Sequence, residues 1–307
     1  MVEQRWRSAV RRCENGRMLR RLGFAGLVSL VVVGGLATPA APAAATIPAS
    51  APCGAGGVAH YDHVVWIVLE NVGYSLVGSP SAPYLNGLRA ACALATNDHA
   101  VSHPSLPNYL ALTSGSTQGV TDDGEPSTHP LAVASVFSQL GDDWRALVES
   151  MPTRCDHVTS GQYAARHNPA VYFTTLGASC ARNDVPPARP LSLGARFTFI
   201  APNICDDMHS CPIATGDAWL RSIVPTIIRS SLYQSRSLAL FITVDESDSQ
   251  ASNQVPTFVI APTVTRGEQS AVAFTHYSLL RTTEELLRVP LLGQARSARS
   301  MVGPFHL

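Results

Sequence analysis

Beyond residue 60 the chain alternates short, unbroken apolar runs with stretches whose apolar positions recur at helical spacing. The first run, Tyr61-Asp62-His63-Val64-Val65-Trp66-Ile67-Val68-Leu69, stops at Glu70-Asn71. The strongest, Ser237-Leu238-Ala239-Leu240-Phe241-Ile242-Thr243-Val244, stops at Asp245-Glu246. A run without polar alternation marks a strand covered on both faces. Arg196 to Ile200 and Thr257 to Ala261 read as two further strands. The spacing predicts helices over 82–91, 105–114, 131–140, 216–230 and 276–288, and loops from about 150 to 195. Strands alternating with helices predict an α/β fold, with a mostly parallel sheet and helices on both faces. No internal repeat or composition break divides 61–307, which reads as a single domain.

The first 45 residues follow other rules. Seven Arg lie within residues 1–21, the apolar run Leu22–Ala37 follows, and small residues and Pro continue to Ala45. This is the order of a secretory signal peptide, with cleavage expected near Ala45. The run is shorter than the roughly 20 residues of a membrane span, so no stable membrane insertion is expected after cleavage. Residues 46–60 read as a flexible lead-in. Export to the medium or the cell envelope suits the cysteines. Cys13 leaves with the signal, and Cys53, Cys92, Cys155, Cys180, Cys205 and Cys211 remain. Six cysteines allow 15 pairings. Proximity suggests Cys205–Cys211 and Cys155–Cys180, leaving Cys53–Cys92.

Charge then excludes several functions. The net charge of zero hides a basic leader, for residues 46–307 carry 15 Arg against 20 Asp and Glu. An acidic body without a basic run argues against nucleic-acid binding. The chain has no Lys. That excludes a phosphate loop of the Walker type and a Schiff-base mechanism.

Candidate chemistry sits where ligands bind in open α/β sheets, outside the carboxyl ends of the strands. Two buried strands end there in acids, Glu70-Asn71 and Asp245-Glu246, and acids at such positions need partners. Two such ends in one sheet suggest hard oxygen ligands for a divalent cation. The third element is Ser102-His103-Pro104-Ser105-Leu106-Pro107-Asn108-Tyr109, running into Thr113-Ser114-Gly115. A Ser opening a helix lies beside unpaired N–H groups and the positive end of the dipole, a place that suits a phosphate. A plain N-cap is the simpler account of Ser105 alone.

Taken together these residues resemble the phosphoesterase family of bacterial phospholipases C and secreted acid phosphatases, within the alkaline phosphatase superfamily. His103 to Tyr109 is similar to its His-Pro-Ser-x-Pro-Asn-Tyr motif, and Glu70-Asn71 to its opening strand end. Arg166-His167-Asn168-Pro169, Pro202 to His209 and Asp245-Glu246 follow in the family's order. The resemblance implies an alkaline phosphatase-like three-layer α/β/α sandwich. It implies a phosphate monoesterase working through a phosphoserine on Ser105. Glu70, Asn71, Ser105, Asp245 and Glu246 would hold one divalent metal cation. Asn108 would grip the phosphate of a small phosphorylated substrate, with Asp207 and Tyr109 also against it. His103, His167 and His209 would line the catalytic pocket, and one of them would protonate the leaving oxygen.

The superfamily's two-metal members carry an Asp-His pair soon after the late strand. Here no His follows Asp245-Glu246 until His276, which favours a single ion. His276 itself opens a helix and suits a cap or a pocket. Two other functions compete: a phospholipase C acting on lipid head groups, and an exported binding protein without turnover. A monomer is expected.

Overall fold

The computed structural model describes residues 52–248 and 252–307. The expected signal peptide and the start of the lead-in lie outside the described residues. The strands are β1 (His63–Leu69), β2 (Ala93–His99), β3 (Trp144–Val148), β4 (Asp184–Val185), β5 (Phe197–Ala201), β6 (Leu238–Val244), β7 (Gln254–Ile260), β8 (Glu268–Ser270) and β9 (Phe274–Thr275). The helices are α1 (Pro83–Ala91), α2 (Ser105–Ser114), α3 (Val136–Gln139), α4 (Ala178–Asn183), α5 (Ile213–Ile228), α6 (Ser231–Gln234) and α7 (His276–Leu287).

All nine strands join one sheet in the order β4-β3-β5-β1-β6-β7-β2-β8, with β9 also on β2. β7 alone runs against the rest, so the mostly parallel sheet is as expected. The two strongest apolar runs became its centre. Every residue of β6 is buried, and so is every residue of β1 after His63. Successive strand residues face opposite sides of the sheet. Trp66 donates to Thr283 Oγ1 of α7 at 2.9 Å. Ile200, the register partner of Ile67, shares a cavity with Ile223 of α5. Helices therefore cover both faces.

Several elements differ from the pattern reading, among them α4 and β4 within the stretch expected to be loops. The helix expected over 131–140 shrinks to α3, because Ser135 and Ser138 close a capping box at its start. Leu131 instead pairs with Phe173. β2 was hidden by its polar end, Asn97-Asp98-His99; Asp98 is buried there because its Oδ2 accepts Thr257 Oγ1 of β7 at 2.7 Å. β3, carrying Arg145 among apolar residues, was also missed; Arg145 reaches Asn183 Oδ1 at 2.5 Å. Pro225 sits inside α5 without ending it.

The three disulfides are those expected from proximity: Cys53–Cys92, Cys155–Cys180 and Cys205–Cys211. No helix among the described residues is long and apolar enough to cross a membrane.

α2 ends at Gly115, whose φ of 74° is left-handed. A Cβ there would lie 2.5 Å from the Leu292 carbonyl oxygen. Both facts exclude a side chain. Gly115→Ala should lower stability by more than about 1 kcal/mol, read as an earlier midpoint in urea unfolding.

Candidate active site

The site begins with the register of the central strands. Leu69 stands opposite Val244, so β1 and β6 end level. The residues just beyond them, Glu70 and Asp245, leave the sheet side by side, and Asp245 N donates to Leu69 O at 3.0 Å. Glu70 N donates to Asp207 O at 2.9 Å, which draws in the loop after β5. Asn71 turns away with a left-handed φ of 45°, and its N–H donates to Asp245 Oδ1 at 3.1 Å. Asn tolerates that backbone better than most residues.

Ser105 arrives on α2. Its hydroxyl donates to Glu70 Oε2 at 2.9 Å and lies 3.5 Å from Glu246 Oε1. Ser105 is 2% exposed, Glu70 and Asp245 0%, Asp207 1% and Glu246 5%. Four carboxylates thus share a dry site around one hydroxyl. Burial and the neighbouring Asp245 and Asp207 push the Glu70 carboxyl well up. Burial and Glu246 do the same to Asp245. Burial raises Glu246 and Asp207 to about 7 each. Asp245 Oδ2 is buried without a hydrogen-bond partner. An orphaned carboxylate oxygen amid uncompensated acids is what a hard divalent cation would satisfy. The donor set therefore fits the ion. A softer set, Cys155, His157 and Cys180, does not: its two sulfurs are joined in a disulfide, which removes the thiolates.

The histidines separate by environment. His167 is buried between two acids, its Nδ1 3.1 Å from Asp207 Oδ2 and its Nε2 3.2 Å from Glu70 Oε2. Burial, followed by the charge of Arg166, holds it well below the usual imidazole range. His103 is at the rim, its side chain 44% exposed and its Nδ1 2.6 Å from Glu246 Oε2. His209 Nε2 meets Arg166 Nη2 at 3.3 Å, and its backbone N–H donates to Asp207 Oδ1 at 2.8 Å. His276 is buried, pushed down to about 4 by desolvation, and contacts the Asp245 carbonyl at 2.5 Å through Nε2. It braces the strand end rather than opening to a pocket.

Two expected substrate contacts take other work. Asn108 is fully buried. Its Oδ1 accepts the N–H groups of Val101 and Ser102, and its Nδ2 donates to Ser102 O and Pro104 O. The amide is spent on the turn that presents Ser105. Tyr109 is also fully buried; its hydroxyl donates to Glu70 Oε1 and its ring stacks on His167 at 5.5 Å between centroids.

Two residues beside Ser105 went unassigned in the sequence. Asp123 Oδ1 accepts Leu106 N–H at 2.9 Å, and Asp123 Oδ2 lies 3.9 Å from Arg166 Nε. Nothing in the polar stretch around Asp123 marks it. Arg166 stands in the matched stretch Arg166-His167-Asn168-Pro169, where the motif itself gives it no role.

A sheet that ends in clustered carboxylates facing a helix-borne serine defines an alkaline phosphatase-like α/β protein. A solved member of the alkaline phosphatase superfamily from Vibrio parahaemolyticus has this fold: TM-score 0.50, 12% identity, 76% of this chain and 67% of that one. Residues 76–290 match the Phosphoesterase family, and the chain belongs to it. It is 33% identical over 250 residues to the phosphatidylinositol-3-phosphatase of Mycobacterium tuberculosis, covering 78% of this chain and 81% of the relative. It is 27% identical to the phosphate-repressible acid phosphatase of Penicillium chrysogenum, over 82% of this chain. The chain spans 65% of the length of that fungal enzyme.

The segment carrying His167 is pinned from behind by Asn168, whose Nδ2 donates to Asp184 Oδ2 at 2.8 Å. Burial raises Asp184 to about 7. Its folded pKa thus exceeds its unfolded one, so its share of stability is full below about 4 and is lost as pH rises through about 7. Asp184→Asn should flatten the fall in urea midpoint between pH 5 and pH 8. An unchanged slope would count against this assignment.

Proposed function

We propose that this chain is an exported, metal-dependent phosphomonoesterase that transfers the phosphoryl group to Ser105 and then to water. The observation that carries this reading is the Ser105 hydroxyl, held by Glu70 and Glu246 at the head of α2 among four buried acids. The relatives named as phosphatases support the reaction class. The three disulfides support an oxidising compartment.

Glu70, Asn71, Asp245 and Glu246, with Ser105, would hold the divalent cation. When bound it would acidify the hydroxyl and draw charge from the phosphoryl oxygens. Ser105 Oγ attacks phosphorus, and the alcohol leaves opposite. The resulting phosphoserine is then hydrolysed by water. Asn108 keeps the serine turn in place from inside the fold. Asp207 holds the ring of His167 through Nδ1, Nε2 lies near Glu70 without a hydrogen bond, and Tyr109 covers the ring.

The acid for the leaving oxygen is His103. Its Nδ1 faces Glu246, and among the described residues its Nε2 has no hydrogen-bond partner. His167 has both nitrogens against acids in the interior, and Nε2 of His209 faces Arg166. A carboxylate on one imidazole nitrogen orients the ring for proton transfer at the other.

Ser105→Ala should lower p-nitrophenyl phosphate turnover at least about 1,000-fold, and EDTA should abolish the wild-type rate. Full activity in either case would sink the reading. Better turnover of bis(p-nitrophenyl) phosphate than of the monoester would move it to a diesterase. The mycobacterial relative's name adds phosphatidylinositol 3-phosphate to the substrates tested.

His103→Gln should slow glycerol phosphate hydrolysis about 100-fold. The loss with p-nitrophenyl phosphate should be smaller, since p-nitrophenolate departs without a proton. Equal losses on both would remove His103 as the acid.

A further inference from the structure

The acids around Ser105 make the presence of one cation informative. Among the described residues, Arg166 is the arginine in contact with this cluster, through His209 Nε2 at 3.3 Å and Asp123 Oδ2 at 3.9 Å. A guanidinium offers five N–H donors in a planar fork. Two contacts, one of them long, leave most of that capacity unused. The other oxygen of Asp123 accepts Leu106 N–H, the first backbone donor after Ser105. One carboxylate thus lies on the amide beside the nucleophile and faces the guanidinium at the same time. Those two donors thus meet on one carboxylate next to the backbone of Ser105.

Asp123 is not locked in place. Its side chain is 35% exposed, and it comes from a loop outside every helix and strand.

We propose that Arg166, together with Leu106 N–H, binds the substrate's phosphoryl oxygens, and that Asp123 is a resident anion exchanged for the substrate. The proposal rests on the reading of Ser105 as the phosphoryl acceptor. It also assigns a specificity. A monoester dianion brings two charged oxygens to the fork, and a diester brings a single charge. Charge-assisted, bidentate bonds to guanidinium are the stronger ones. Arg166 therefore favours monoesters in a site whose other side chains are mostly acidic.

A rival account makes Arg166 a brace for His209 and Asp123. The two accounts differ in sign. If Asp123 competes with substrate, Asp123→Asn and Arg166→Gln act in opposite directions; if the pair is a brace, both weaken the site.

The test uses inorganic phosphate as the probe, titrated calorimetrically into the full chain. Steady-state kinetics on p-nitrophenyl phosphate and bis(p-nitrophenyl) phosphate accompany it. Arg166→Gln should weaken phosphate binding at least about tenfold. It should raise KM for the monoester by a similar factor with a smaller change in kcat, and the diester should lose less. Arg166→Lys should recover part of the binding. Asp123→Asn should tighten phosphate several-fold. It carries the test alone if Arg166→Gln fails to fold. Weaker phosphate binding in both variants would overturn the proposal. So would a wild-type protein that binds no phosphate, or equal losses on monoester and diester with phosphate binding unchanged. A wild type that binds phosphate but hydrolyses neither ester would refute the hydrolase reading, and the phosphate titrations would still decide Arg166.

Discussion

The structure depends on how it carries four carboxylates in the dry end of its sheet. Glu70, Asp207, Asp245 and Glu246 are all nearly inaccessible. Ionised acids lose much of their hydration on burial, and like charges add to the penalty. The orphaned Asp245 Oδ2 and the raised carboxyls of all four describe a site that takes up positive charge, as protons or as a divalent cation. Such a cluster survives only where the surrounding fold contributes a large apolar core. β1 and β6 supply that core directly beneath it, and their matched register places Glu70 beside Asp245.

The rest of the site is built from loops that the interior has made rigid. Asn108 ties the serine turn through four hydrogen bonds to 101–104. Asn168 ties the His167 segment to Tyr163 and Asp184. The Cys205–Cys211 bridge closes the short loop that carries Asp207 and His209. Buried amides and a bridge do here what ladder hydrogen bonds do in the sheet. They give irregular backbone internal partners and so hold reactive side chains in place.

Environment, more than residue type, divides the labour. Histidines 103, 167 and 209 all adjoin the cluster, yet one is half exposed against Glu246, one is buried between acids, and one meets an arginine. Asp123 and Glu246 are both acidic neighbours of Ser105, but Asp123 lies at the solvent side on a loop against the first turn of α2 and Glu246 in the interior. A dry, acidic base therefore lies beside a rim that carries the Arg166 guanidinium.

The amino-acid order by itself determined the central strands, the acids that end them, the serine at the head of α2 and, from proximity, the three disulfides. Those signals are local: an unbroken apolar run, a Pro before a helix, a short gap between cysteines. It also carried the family, through motifs kept in order along the chain. It did not determine β2 or β3, whose polar residues are satisfied by Thr257 and Asn183 from distant segments. Nor did it determine that Asn108 faces inward, that His276 braces the Asp245 carbonyl, or that Asp123 and Arg166 meet beside Ser105. Those outcomes belong to the tertiary structure, because a polar side chain's partner is chosen by which remote backbone and charge folding brings within hydrogen-bond reach. No periodicity in the chain records that choice.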